Sequence, residues 1–309
     1  MVPGTILLCS NAAYHTITLP KRRRRMMKKA LIAGFGQFVG FALCSRLLED
    51  GIGVDGYMNT YKDDQEQKIA DEKMMLIGRN ALFEKISSIT DAKENDVIFY
   101  CIQDPTDKQN RHDSTLLRDC ADLSIKQKIP FILISSAEVF SEAQDKIEKD
   151  TVPHPSTENG KAHLQQESEI RELFGGSELY KIVRFPGLFG PWQPQTSFIH
   201  QWIISDLTGK KSDVEAKEEK RDILFIDDAV STLLEIAEAH PYKESIVHLS
   251  SMKEGQWSKI SQLFSEKSDR NLSYKLSKDI ICPVETSVSL ERGIQIQTEW
   301  IKQNLYIYQ

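Results

Sequence analysis

The chain has 309 residues, 40% of them apolar and 27% charged, with a formal net charge of −6. That composition excludes wholesale disorder, a collagen-like repeat and a disulfide scaffold, and the negative balance gives no general attraction to nucleic acid or anionic membrane. No window approaches the roughly 20 uninterrupted apolar residues of a membrane span, and Cys9, Cys44, Cys101, Cys120 and Cys282 are scattered, so free thiols, no metal and a cytoplasmic location are expected.

Residues 1–25 stand apart, with Lys21, Arg22, Arg23, Arg24 and Arg25 and no acid. Their apolar stretch precedes the charges, the reverse of a secretory signal. Four arginines before Met26-Met27-Lys28-Lys29 read as a translated purine-rich ribosome-binding site, so residues 1–27 are expected to be a leader, non-native or disordered.

Lys29 to Gly34 is a short apolar run into glycine, the pattern of a buried strand. Phe38, Val39, Ala42, Leu43, Leu47 and Leu48 then recur at helical spacing, with Gly51 beyond the end. Val54 to Met58 predicts a second strand, Lys73 to Ile77 a third and Asp96 to Ile102 a fourth. A helix bearing Leu116, Leu117, Cys120, Ala121 and Leu123 leads to a fifth strand, Phe131 to Ser136. After Ser141 the chain is polar through Pro153 and Pro155, and a helix spans about 160 to 174. Tyr180 to Phe185 predicts a sixth strand, followed by FPGLFGP at 185–191. Asp206 to Asp222 is charged enough to be a mobile, solvated segment. Ile223 to Ile226, a helix from Asp227 to Ala239 and a strand at Ile246 to Leu249 follow. Strands alternating with helices imply an α/β fold with a parallel sheet doubly wound on both faces.

GFGQFVG at 34–40 falls between the first strand and the first helix. Glycines there allow a tight turn, so that a dinucleotide's pyrophosphate can reach amides at the helix start. A tight turn without ligand is the plainer alternative. The pattern is irregular, because the third glycine of GxGxxG is Val39 and the next glycine is Gly40. No carboxylate follows the second strand until Asp63, which leaves NAD and NADP both open.

Several segments together resemble the extended short-chain dehydrogenase/reductases, and among them the NAD-dependent nucleotide-sugar epimerase/dehydratases. They are GFGQFVG, DVIFYCIQD, FILISSAEVF, VRFPGLFGPWQP, RDILFIDDAVSTLLEIAE and SLERGIQIQTEWIKQN, in the family's order and spanning most of the chain from Lys28 to Tyr308. The resemblance implies a Rossmann-like sheet with a smaller C-terminal substrate region. On that basis residues 28–184 plus 222–250 form the dinucleotide-binding part and 185–221 plus 251–309 the substrate part. It implies NAD or NADP as cofactor, held by Gly34, Gly36, Gln37, Phe38, Val39, Gly40, Asn59, Cys101, Ile102 and Pro186. A nucleotide-sugar or related small molecule would contact Arg221 and Arg184, and a homodimer is an expectation of the same kind.

The family pattern is GxxGxxG, and Gln37 takes the place of its middle glycine. Its catalysis uses a serine or threonine, a tyrosine and a lysine four residues later, with the lysine lowering the phenol's pKa. Ser136 matches the serine. In PSTENGKAHLQQE, 155–167, Asn159 replaces the tyrosine and His163 the lysine, on one helix face. An asparagine amide cannot be a general base. A shifted frame pairing Thr157 with Lys161 offers only an alcohol. His163 could move the proton itself, Tyr180 or His154 could enter the site, or the fold could bind a nucleotide and catalyse nothing. A Ser136–His163 hydrolase pair lacks the GxSxG elbow and a placed acid.

Arg221 matches a family arginine that clamps the sugar nucleotide's diphosphate, a role suited to its planar fork; a surface ion pair with Asp222 or Glu219 is the alternative. Arg184 and the FPGLFGP turn would border the nicotinamide by resemblance. Trp192, Trp202 and Trp257 could stack on a base or pack in the core, and His200 and His248 read as structural. The expected function is an NAD(P)-dependent epimerase/dehydratase-like activity on a nucleotide-sugar with atypical catalytic residues. The rival is a catalytically silent NAD(P) sensor or partner protein.

Overall fold

A computed structural model describes residues 7–10, 13–16, 27–58, 63–102, 114–144, 146–209, 222–238, 245–264, 275–278 and 280–308. Within the expected leader, β1 (Leu7–Ser10) and β2 (Ala13–Thr16) pair antiparallel. The first Rossmann unit comprises β3 (Lys29–Ala33), α1 (Phe38–Glu49), β4 (Gly53–Tyr57), α2 (Asp64–Ile77) and β5 (Phe83–Ile86). Then come β6 (Val97–Tyr100), α3 (Thr115–Gln127), β7 (Phe131–Ser136), β8 (Lys146–Ile147), α4 (Glu158–Phe174) and β9 (Tyr180–Phe185). The remainder is β10 (Gly187–Phe189), α5 (Phe198–Thr208), β11 (Ile223–Phe225), α6 (Ile226–Glu238), β12 (Ile246–Ser250), α7 (Gln256–Leu263), β13 (Lys275–Leu276), β14 (Ile281–Pro283) and α8 (Leu290–Gln303).

Eight strands form one sheet in the order β14-β12-β9-β7-β6-β3-β4-β5, and every adjacent pair is parallel. Its central strands β3, β6 and β7 are buried and largely apolar because both faces are covered, whereas the edge strand β5 exposes Glu84 and Lys85. Ala30 and Ile32 face the layer of α1 and α6, whereas Leu31 and Ala33 face α3 and α4. This is the α/β sheet, doubly wound, that the alternating pattern implied. A third apolar cluster joins Phe189, Trp202, Phe225, Ile260, Ile294 and Ile301. The proposed division of the chain is crossed at two points: β11 pairs with β10, and β14, from the C-terminal stretch, supplies the eighth strand of the large sheet.

One expected element is corrected. Lys73 to Ile77 is not a strand but the end of α2, and the third strand is β5. Asp63 caps α2 by accepting the Gln65 and Glu66 amides, both at 3.0 Å. Ala70, Lys73 and Ile77 then fall on its buried side at helical spacing. The charged segment expected from Asp206 is helical in α5 to Thr208, and residues 210–221 lie outside the described residues. No helix among the described residues is long and apolar enough to cross a membrane.

Candidate functional site

After β3 the chain turns through Gly34 to Gln37. Gly34 has φ +87°, where a side chain would be strained. Its amide and that of Phe35 donate to the Tyr57 carbonyl at the end of β4, at 2.8 and 3.2 Å. A β-carbon on Gly40 would lie 2.2 Å from the Gly34 carbonyl oxygen, so α1 can start this close to the turn only with glycine there. Gln37 is the N-cap of α1 yet makes no side-chain cap bond, and no acid stands in the first turn. The first-turn amides of Phe38, Val39 and Gly40 thus have no side-chain cap competing with an anionic ligand. Those features fit a dinucleotide's pyrophosphate.

The other wall of this crevice is the end of β6. The Cys101 amide donates to the Ala33 carbonyl at 2.8 Å, and a β-carbon on Gly34 would meet Ile102 Cγ1 at 2.6 Å. Pro186 is buried where β9 passes into β10. Asn59 lies outside the described residues. Asp63, the nearest carboxylate after β4, caps α2 through its Oδ1.

Ser136 ends β7 beside Phe185 of β9. Its Oγ accepts the Glu138 amide at 3.1 Å, leaving the hydroxyl hydrogen to donate elsewhere. α4 approaches the 137–139 turn through Thr157, which caps the helix at the Gly160 amide (2.9 Å) and donates to Glu138 Oε2 (2.8 Å). Gly160 is pressed against the Glu138 carbonyl. Asn159 is half-buried beside it. His163, one turn on, is 1% exposed, and neither ring nitrogen has a partner among the described residues. Burial holds its imidazole below the usual range, against an upward pull from Glu138 and Glu167. The structure therefore brings Ser136, Asn159, His163 and Glu138 to one end of the sheet.

The other proton carriers considered from sequence do not join them. Thr157 is occupied by the cap, and Lys161 points outward to Glu158 at 2.5 Å. Tyr180 begins β9 opposite Phe131, at the other end of this strand pair from Ser136, and packs on Phe174. His154 is exposed on a bridge to Phe140.

Behind the site runs a buried ion pair. Arg184 donates from Nε to Glu167 Oε1 (2.8 Å) and from Nη2 to Oε2 (2.6 Å), with the Ser135 hydroxyl also on Oε1 (2.6 Å). Nη1 meets His248 Nε2 at 3.2 Å, and the guanidinium lies over the Phe140 ring. Arg184 is 5% exposed and its fork is taken, so the expected contact with substrate gives way to a supporting role beneath Ser135 and Ser136. Gln166, next on the same helix, donates to the Ile102 carbonyl at 3.0 Å and ties α4 to the crevice wall.

On the substrate side Arg221 lies outside the described residues. Its neighbour Asp222 accepts Ser250 Oγ (2.9 Å) and Ser251 Oγ (2.8 Å), besides the Ser251 amide, and fixes the entry to β11. Trp192 packs between Phe41 (5.4 Å) and Trp300 (4.8 Å), and Trp202 is in the third cluster. His200 and His248 are buried. Two residues escape the sequence reading. Glu138 stands two places after Ser136 in SSAEVF, and that spacing was the available signal. Lys73 had none, being hidden by the strand reading of its segment.

Known proteins can now be set beside this geometry. The profile of the NAD dependent epimerase/dehydratase family matches residues 30–247. YjaV of Bacillus subtilis is 35% identical over 77 residues, 25% of this chain and 40% of that protein. YtcB of the same organism, named an uncharacterized UDP-glucose epimerase, is 23% identical over 278 residues, covering 82% of this chain and 86% of that one. The structure of UDP-glucuronic acid 4-epimerase from Bacillus cereus with NAD superposes at a TM-score of 0.73, with 18% identity, over 91% of this chain and all of the other. With the profile spanning most of the sheet and its crossovers, the chain belongs to the NAD dependent epimerase/dehydratase family.

Proposed function

We propose that the chain binds NAD in the crevice above β3 and β6 and acts on a nucleotide-sugar by hydride and proton transfer. The observation that carries this reading is His163: a buried imidazole with neither nitrogen partnered among the described residues, on the helix that packs against the turn following Ser136. An unsatisfied buried polar group is costly, and a ligand that bonds it repays that cost. YtcB and the Bacillus cereus enzyme, both named for UDP-sugars, make a UDP-sugar the substrate to test first.

The first-turn amides of α1 would hold the pyrophosphate, with Gly34 and Gly40 keeping the approach open. NAD, when bound, supplies a hydride acceptor for the sugar carbon. Ser136, its Oγ already accepting the Glu138 amide, donates its hydrogen to the oxygen on that carbon. Asn159 orients by hydrogen bonding, having no proton to exchange. His163 and the Glu138 carboxylate are the titratable groups beside it, and they take the proton that a tyrosine would otherwise carry. Arg184 and Glu167 hold β7, β9 and α4 together so that these groups stay in register.

Asn159 favours a second reading, in which the site binds NAD and sugar nucleotide without turnover. Titration of the purified protein with NAD and NADP, followed by incubation with UDP-, dTDP- and GDP-sugars under NMR, separates the two. Turnover lost in His163→Ala but kept in Asn159→Ala supports the enzyme. Binding without turnover supports the silent protein, and failure to bind either dinucleotide defeats both.

A further inference from the structure

Lys73 is 4% exposed in the third turn of α2, and its Nζ donates to the Gly36 carbonyl at 2.7 Å. The amine lies 5.4 Å from the ring centre of Phe41 in α1 and 5.6 Å from that of Trp192 in the loop after β10. Among the described residues no carboxylate pairs with it. Burial pulls its pKa down to about 7. Ala70 and Ile77 flank it on the buried side of α2, where an apolar residue would complete the stripe at less cost. The polar group it touches belongs to the 34–40 turn.

The Gly36–Gln37 peptide plane is thereby held at both ends. Its oxygen is bonded by Lys73, and its N–H donates to the Gly34 carbonyl at 3.0 Å. That plane aims Gln37, the residue from which α1 starts. Gln37 stands where the resemblance expects glycine and holds an ordinary extended conformation, φ −69° and ψ 164°.

We propose that Lys73 is a positioning residue for the dinucleotide turn, anchoring the Gly36 carbonyl from α2 and becoming a full cation when the coenzyme's pyrophosphate binds. The inference rests on the coenzyme reading above. An anion at the turn stabilises the ammonium form, and by reciprocity the ammonium form binds the anion more tightly. Coenzyme binding then takes up a proton at a pH where free Lys73 is largely neutral.

Among the described residues, Lys73 is the ionisable group bonded to the Gly36 carbonyl. Phe41, Trp192 and the Gly36 carbonyl do not ionise. On α2 itself Lys68 bonds the Tyr306 carbonyl at 3.0 Å, and Glu72 meets the Tyr306 hydroxyl at 3.5 Å. Tyr308, in the C-terminal turn packed on α2, is raised by burial and stays neutral.

The test is isothermal titration calorimetry of the full chain with NAD, in phosphate and in Tris, at pH 6 and pH 8. The expected result is uptake of more than half a proton at pH 8 and close to none at pH 6. The dissociation constant should rise by up to about tenfold per pH unit above pH 7. Lys73→Met should abolish the uptake and flatten that profile; should the variant not fold, the wild-type calorimetry decides alone. Binding without proton uptake at pH 8, or a pH dependence that survives in Lys73→Met, overturns the proposal and leaves the coenzyme reading intact. Absence of NAD binding by the folded protein at both pH values overturns both.

Discussion

A β-carbon on Gly160 would lie 2.1 Å from the carbonyl oxygen of Glu138. The obstacle is backbone, which cannot swing aside, so α4 rests on the 137–139 turn by virtue of a missing side chain. Gly160→Ala should shift α4 and cost about 1–3 kcal/mol of stability, the range for overpacking. Urea denaturation reads the loss, and weaker NAD binding in the same variant shows that the shift reaches the crevice.

Glu167 and Arg184 form a doubly bonded, fully enclosed pair. Removing one partner strands the other's charge, so Glu167→Met and Arg184→Met should each cost about 3–5 kcal/mol. The double variant, with no charge left inside, should recover most of that loss. Equal losses in singles and double would show that packing rather than charge is at stake.

Restoring a titratable phenol offers a direct gain-of-function measurement. Asn159→Tyr alone should do little, because nothing beside it lowers the phenol's pKa. Asn159→Tyr with His163→Lys places a cation one turn away and should raise turnover of a UDP-sugar by about a hundredfold, the lower end for positioned acid–base catalysis. Coenzyme reduction followed by absorbance and sugar interconversion followed by NMR report it.

Acid should weaken the fold through its enclosed histidines. Burial lowers His200 to about 4 and, with Arg184 beside it, His248 to about 3. Both folded values lie below the ordinary 6.5, so their contribution is intact above that pH. It is lost as pH falls, because only the unfolded chain then gains protons. Between pH 7 and 4.5 the His200 share is about 2–3 kcal/mol. His200→Gln should lose correspondingly less stability over the same interval in chemical denaturation.

The sheet was legible because its central strands β3, β6 and β7 are apolar on both faces and its helices carry one-sided stripes. β7 and β9 fall where those patterns put them. α2 was not, since its charged outer face dilutes the stripe and Lys73 occupies an inward position. At the site, Ser136 and the Asn159/His163 pair could be named from the resemblance to the family's motifs. What spacing could not show is which side chains are already spoken for. Arg184 proved engaged with Glu167, Asp63 with the start of α2, and Trp192 with Phe41 and Trp300. The Arg184 and Trp192 contacts join elements apart in sequence and leave no local trace, and the local Asp63 cap was hidden with the rest of α2.

The order of strands carries a consequence for biosynthesis. From β3 outward, β4 and β5 extend one side of the sheet, while β6, β7, β9, β12 and β14 extend the other in the order in which a ribosome delivers them. Each newcomer docks on a strand already made, β6 on β3 and every later one on the edge just formed, so the nascent protein can crystallise its core progressively instead of awaiting distant segments. The arrangement leaves one vulnerable moment. Until Ile281 emerges to lie against His248, β12 presents bare backbone donors and acceptors, and chains stalled or cut before that point should clump through this open border.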